Sequence, residues 1–147
     1  MNGEQEFCEA VAEVLVARRD AEGVPEGEAL PAGLQVMAKH ATVALARPSL
    51  LAAPEDFVFR GNKIQEGVLL LRLRSDGDAE PIATSQETLD KAGRYLLFAG
   101  RAALKAACQA RGVWLRRISL VAPSSDEAGE RGRAYEQRMK VWIQVEL

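Results

Sequence analysis

The sequence predicts one α+β domain over residues 1–147, a mostly antiparallel sheet of four to five strands with two main helices packed on one face. Two observations predict this class. Apolar residues recur at helical spacing in two segments, and several other segments alternate at a period of two. The order of these segments is helix, strands, helix, strands, and 147 residues suffice for one domain.

The composition is that of an ordinary globular protein. Hydrophobic residues make up 48% and charged residues 27%, and the net charge of −2 gives no general attraction to nucleic acid or membranes. No apolar run approaches the roughly 20 residues that cross a bilayer. The acidic start, Met1–Glu6, differs from a signal peptide. We therefore expect a cytoplasmic protein without membrane contact, with Cys8 and Cys108 as small buried thiols.

The first half of the chain begins with an amphipathic helix from Glu4 to about Arg19. The glycine- and proline-containing segment Asp20–Gly33 predicts a long surface loop. Ala41–Ala46 is a candidate strand that ends at Arg47-Pro48. Phe57–Phe59 is a second short piece, closed by a turn at Gly61-Asn62.

Gly67–Arg74 is a stronger strand, with leucines at 69, 71 and 73 on one face. Its first half is apolar on both faces, which is typical of a central strand. A single helix is predicted from about Ser85 to Arg111, with Thr84 and Glu87 at capping-box spacing and Gly112 as the C-cap. Its apolar stripe contains Leu89, Ala92, Leu96, Ala99, Ala103 and Ala107.

The chain ends in two more predicted strands. In Val113–Val121 we expect Trp114, Ile118 and Leu120 on one side and Arg117 with Ser119 on the other. Pro123–Arg133 is predicted to be a polar loop. The strand Tyr135–Leu147 then alternates with its odd positions buried, as expected for period two.

The length of this last strand is the most informative feature. Thirteen residues at about 3.3 Å each span roughly 43 Å. A compact domain of 147 residues has a diameter of only about 40 Å. The strand must therefore bend or serve more than its own subunit, and an exposed edge of this length would invite pairing with another chain. The pattern favours assembly over catalysis.

Catalytic, cofactor and metal signatures are missing from the sequence. His40 is the single histidine, and no zinc, calcium or phosphate-loop motif occurs. We therefore predict no enzyme activity and no cofactor. A small enzyme built on a carboxylate pair with His40 is the opposing hypothesis, since any two carboxylates could meet in the fold.

Charged and aromatic residues on the strands are the candidate functional residues. Arg72, Arg74, Arg116, Arg117 and Arg138 face away from the predicted apolar side. They either keep an exposed face soluble, or meet acidic residues of another subunit, or line a channel. Trp142 lies between Lys140 and Gln144 on the polar face, where it is covered by a helix of its own chain or anchors an interface.

The order of elements, the polar segment Ser124–Arg133 and the ending Val-Trp-Ile-Gln-Val-Glu-Leu are similar to those of lambda-type tail terminator (tail completion) proteins of long-tailed phages. The resemblance covers most of the chain but includes no invariant motif. The segments Asp20–Gly33 and Leu50–Asn62 depart from it. The register of the middle strands is therefore left open.

The resemblance implies a virion structural protein without enzyme activity. Such proteins form a hexameric ring that caps the tail tube, ends its polymerisation and meets the head–tail connector, with the sheets lining a lumen through which DNA passes without sequence recognition. It implies assembly in the host cytoplasm and a final place at the head-proximal end of the virion tail. Subunit or lumen contacts are then expected at Arg72, Arg74, Arg138, Lys140, Trp142 and Gln144. The loops Asp20–Gly33 and Ser124–Arg133 are candidates to become ordered on docking.

Two alternatives fit the same sequence. One is a small dimeric cytoplasmic adaptor or chaperone that binds a partner through a strand edge. The other, within the phage interpretation, is a neck or head-completion protein. The stoichiometry separates the adaptor from a ring, because an adaptor stops at a dimer.

Overall fold

A computed structural model describes residues 3–38, 49–76, 86–121, 125–129 and 132–145. The helices in these ranges are α1 (Glu4–Asp20), α2 (Gln86–Leu97) and α3 (Arg101–Gln109). The strands are β1 (Gln35–Met37), β2 (Ser49–Phe59), β3 (Ile64–Asp76), β4 (Val113–Leu120), β5 (Ser125–Gly129) and β6 (Gly132–Val145). The predicted α+β class is confirmed.

The strands form one mixed sheet in the order β1-β2-β3-β6-β4, with β5 also paired to β6. Only β1 and β2 run parallel among the described pairs, and the others are antiparallel. β6 is paired with β3 along nearly all its length, from Gly132 opposite Asp76 to Gln144 opposite Ile64. On the other edge of β6, β5 pairs with the first part of the strand and β4 pairs with the last part. The terminal strand is therefore an interior strand of the sheet, with neighbours on both sides.

The three helices pack on one face of this sheet, over a single hydrophobic core. Leu69, Leu71 and Leu73 of β3 are fully buried there, as the alternation predicts. The odd-numbered residues of β6 from 135 to 145 are also buried. Gly3, just before α1, packs against Val145 so closely that a Cβ at this glycine would overlap the valine side chain.

Helix α1 agrees closely with the prediction. Its 17 residues carry Glu4 and Glu6 in the first turn and Arg18 and Arg19 in the last turn, which suits the helix dipole. The following segment forms turns, with most residues of 20–33 exposed, and confirms the predicted loop. The predicted cap at Gly112 also has the expected left-handed φ of 74°.

The single helix predicted over Ser85–Arg111 is wrong, because a turn at 98–100 divides it into α2 and α3. The Gly100 N–H donates to the Tyr95 carbonyl at 2.6 Å, and a Cβ at Gly100 would overlap the Tyr95 ring. Glycine is thus the residue that lets the turn close over this ring. The break also rotates the buried face, so that Ala99 and Ala103 of the predicted stripe are exposed while Leu104 and Cys108 are buried.

Strand β4 differs from the prediction on its first half. A bulge between Leu115 and Arg117 shifts its register against β6. Val113, Leu115 and Ile118 are therefore buried together. Trp114 lies instead on the face of Arg117 and Ser119, opposite to its predicted side, because one extra residue reverses the alternation.

Two further predictions need correction. The loop predicted over Pro123–Arg133 contains β5, which pairs with the start of β6 as a hairpin. The segment from Ser49 to Asp56 belongs to β2, of which the sequence pattern indicated only Phe57–Phe59. The strand predicted at Ala41–Ala46, His40 and the cap residue Thr84 lie outside the described residues.

Candidate functional site

The predicted site residues lie on the sheet face opposite the helices. We call this the outer face; it comprises the even-numbered residues 66–74 of β3 and 136–144 of β6, with Leu51, Ala53, Glu55, Trp114, Arg117 and Ser119. The register places Arg72 opposite Glu136, and Trp142 opposite both Glu66 and Arg117. Arg74 lies at the far end of the face and is exposed. The structure thus brings Arg72, Arg74, Arg138, Lys140, Trp142 and Gln144 onto one surface.

An ion-pair ladder crosses three strands of the outer face. The Arg138 guanidinium donates to the Glu55 carboxylate of β2, with Nε 2.8 Å from Oε1. The same guanidinium lies 3.0 Å from the Glu136 carboxylate of its own strand, and Arg72 of β3 is 3.7 Å from Glu136. The hydrogen bond to Glu55 is the main cause that raises the pKa of Arg138 above its ordinary value. These arginines therefore meet acidic partners within their own chain.

A second group of charges is centred on Glu66 of β3. The Lys140 ammonium lies 2.8 Å from the Glu66 carboxylate, and Arg60, just beyond β2, lies 3.2 Å from it. The hydrogen bond from Lys140 is the main cause that lowers the pKa of Glu66 below its ordinary value, and Arg60 adds to the effect. Across both groups, three carboxylates compensate most of the charge of four cations.

Two tryptophans lie beside these charges. Trp142 and Trp114 are both half-buried. Trp114 of β4 pairs with Gln144 of β6, which is two residues from Trp142, so that the two tryptophans are diagonal neighbours on this face. Sequence reasoning missed Trp114, since the bulge that turns it outward leaves no mark in the alternation. It also missed the acidic partners Glu55, Glu66 and Glu136. The β6 alternation places Glu136 on this face, but no pattern in the sequence shows which carboxylates meet which arginines.

The terminal strand does not present a long free edge over its described residues. Both edges of β6 are hydrogen-bonded within the chain. The sheet instead ends, among the described strands, at the three residues of β1 and at β4. Arg116 and Arg117 of β4 are exposed. Among the described strands, the free sheet edges are therefore those of β1 and β4, not those of the terminal strand.

The two cysteines are buried and free, as predicted. Burial in the core raises the pKa of each thiol to about 12, and nearby Glu4 adds to the effect at Cys8. Such thiols are poor nucleophiles at neutral pH. No cluster of three potential metal ligands occurs in the described part of the chain. Within the same ranges, no helix has the length and apolar content needed to span a bilayer.

No protein-family model matches the sequence, and no curated protein matches it significantly. Its function must therefore be argued from the geometry above.

Proposed function

We propose that this protein is a structural virion protein, a tail terminator whose subunits form a hexameric ring that caps the phage tail tube, ends tube polymerisation and joins the tail to the head–tail connector. The observation that carries the proposal is the division of the sheet into two unlike faces. All three helices cover one face, and the outer face presents paired charges and two tryptophans. A subunit of this kind can turn its helices outward and its sheet toward a central channel.

The paired charges of the outer face suit a channel for DNA. Unpaired arginines along a lumen would bind phosphates and retard the DNA. Here Arg72 and Arg138 are engaged by Glu136 and Glu55, so that the face stays hydrated but attracts phosphate weakly. This supports a lumen through which DNA passes without sequence recognition, and a protein that acts through assembly and needs neither catalysis nor a cofactor. It would assemble in the host cytoplasm and end at the head-proximal end of the virion tail.

A dimeric adaptor is the second candidate, and one observation favours it. β4 is an edge strand, and Leu120 at its end and the adjacent Val121 are about half exposed. An edge with exposed apolar residues is a surface to which another strand can add. In this case the contact would be made by β4, not by the terminal strand.

The mass in solution tests the proposal. Light scattering over a range of concentrations should reveal a species of about 96 kDa, since each of six copies has 16.0 kDa. Added to polymerising tail-tube protein, the purified chain should then stop elongation at one end, which a neck or head-completion protein should not do. A dimer at every concentration would instead favour the adaptor. A ring that leaves tube growth unchanged would contradict the capping role.

A further inference from the structure

A cavity on the helix side of the molecule is lined mainly by cations. It has a volume of about 210 Å³ and lies between the last turn of α1, the second half of α2 and the loop that follows α1. Arg18, Lys91 and Arg94 line it together with one carboxylate, that of Glu28. Three cations and one carboxylate give the cavity a net charge of +2, in a chain whose overall net charge is −2.

The charge of Arg18 is held in place but only weakly neutralised. The side chain is 18% exposed, and its guanidinium lies 4.4 Å from the centre of the Tyr95 ring, which fixes it from one side. Within the described residues, the carboxylate beside it is that of Glu28, 4.0 Å from Nη2, which is beyond hydrogen-bond distance. A guanidinium this far from water is stabilised further when an anion accepts hydrogen bonds from it.

The other two cations also have weak partners or none. The Lys91 ammonium lies 3.4 Å from the Glu87 carboxylate one turn earlier on α2, but the Glu87 side chain is 75% exposed. Exposed pairs at this spacing contribute little. Arg94 is exposed, and within the described ranges its side chain makes no ion pair or hydrogen bond. The cavity therefore has positive charge available for an anion.

The charge and the size of the cavity indicate the kind of ligand. A net charge of +2 matches a phosphate monoester, which carries about −1.5 to −2 at pH 7. Arginine is well suited to phosphate because its planar group can donate two parallel hydrogen bonds. The cavity is smaller than the roughly 300–1,000 Å³ typical of pockets for drug-sized ligands, so that it suits a phosphate and one ring. Phe98, which is 73% exposed, provides an apolar wall for such a ring.

We propose that this cavity is a binding site for a small phosphate monoester that carries one flat ring. Arg18, Lys91 and Arg94 hold the phosphate, and Phe98 packs against the ring. Glu28 is an internal competitor, because its carboxylate lies beside Arg18 while its side chain is 64% exposed and free to turn toward solvent. The site lies on the helix side, so that the proposal does not depend on the ring or on the outer face.

Calorimetric titration of the full-length protein with phenyl phosphate tests the site. This probe joins a phosphate dianion to one ring, and a ligand of its size is expected to bind with a Kd of about 1 mM, at one molecule per chain. Inorganic phosphate lacks the ring and benzoate carries a single charge, so each should bind about fivefold more weakly. Absence of phenyl phosphate binding up to about 10 mM would overturn the proposal.

A pair of charge-matched variants shows whether binding occurs in this cavity. Arg94→Gln removes one phosphate donor and should weaken phenyl phosphate binding about tenfold. Arg94 is exposed, so the substitution leaves the core intact. Lys105→Gln is the control, because Lys105 is exposed on α3 and does not line the cavity. Equal losses in the two variants would mean that only net charge attracts the probe, and they would overturn the site.

The role of Glu28 has its own matched control. Glu28→Gln removes the competing carboxylate and should tighten phenyl phosphate binding about threefold. Glu22→Gln should leave the affinity unchanged, since Glu22 is an exposed residue of the same loop that does not line the cavity. Weaker binding in Glu28→Gln would contradict the competition. A hexamer that fails to bind phenyl phosphate would overturn this site alone, and a dimer that binds it would overturn the ring alone.

Discussion

Cys8 and Cys108 lie in the core between helices and sheet, each with a thiol pKa of about 12. Because the thiolate is the reactive form, we expect a thiol reagent such as Ellman's reagent to leave the native protein almost unmodified at pH 8. In denaturant both thiols should react at once. Fast modification of the native protein would contradict the burial, and Cys8→Ala would show which thiol reacted.

The same raised pKa values make stability depend on pH. The unfolded chain ionises its thiols near pH 9, whereas the folded chain keeps their protons up to about 12. The folded state therefore holds more protons in this range, and the thiols' contribution to stability is complete below pH 9 and lost as the pH rises toward 12. The free energy of unfolding of the wild type should fall more steeply above pH 9 than that of the variant with Cys8→Ala and Cys108→Ala. Parallel curves would contradict this.

Gly93 of α2 allows the helix to approach β6 closely. A Cβ at this position would overlap Gln137 Oε1 and would lie 2.8 Å from Met139 Cε. Gly93→Ala should therefore destabilise the protein by about 1–3 kcal/mol, measured by denaturant unfolding. Gly27→Ala is the matched control, because nothing lies within 4 Å of a Cβ there. An equal effect of the two substitutions would contradict a destabilising contact of this Cβ with Gln137 and Met139.

At the scale of elements, hydrophobic periodicity and capping residues correctly predicted the helices and strands whose periodicity is continuous along the sequence. α1, the core of β3 and the buried face of β6 belong to this group. The errors have local physical causes: the close contact of Gly100 with Tyr95 divides a helix whose apolar stripe continues in sequence, and a bulge at Arg116 reverses Trp114. Pro54 lies inside β2, although proline is unfavourable within a strand. The structure accommodates it because β1 pairs only with residues 49–51, so that Pro54 has no described neighbour on that side.

For the candidate site, the sequence predicts the face on which the residues lie but not the partners that they contact. Period two in β3 and β6 suffices to place Arg72, Arg138, Lys140 and Trp142 on one face, since the face follows from the alternation alone. Their neutralising partners were not predictable. Whether Arg138 meets Glu55 depends on the register of β2 against β3 and β6, which long-range packing determines and local sequence does not encode.

The interior position of the terminal strand leads to a prediction for hydrogen exchange. The amides of β3 and of residues 139–144, which lie between β3 and β4, should exchange most slowly, because opening them requires the sheet to come apart. Amides of β1 and of the β4 edge should exchange faster. Mass spectrometry of peptic fragments measures this directly. Terminal-strand fragments that exchange as fast as β1 would restore the interpretation of the strand as an edge.

At the scale of the whole molecule, the charges of the outer face determine how strongly an assembled ring would bind DNA. Glu55 and Glu66 each engage a cation of β6, namely Arg138 and Lys140. If this face lines the lumen, replacement of both carboxylates by Glu55→Gln and Glu66→Gln leaves Lys140 without its acidic partner and leaves Arg138 with Glu136 alone, in every subunit. The double variant should bind a 20-base-pair duplex about tenfold more tightly than the wild type at 50 mM salt, measured by fluorescence anisotropy.

The control must change the net charge equally without touching the outer face. Glu13→Gln with Glu87→Gln does so, because these exposed carboxylates pair with Arg111 and Lys91 on the helix side. Greater salt sensitivity in the outer-face variant than in this control would locate the phosphate contacts on the sheet, since each neutralised phosphate adds to the salt dependence. Equal affinities would mean that only net charge matters, and the outer face would then be better explained as a surface covered by protein.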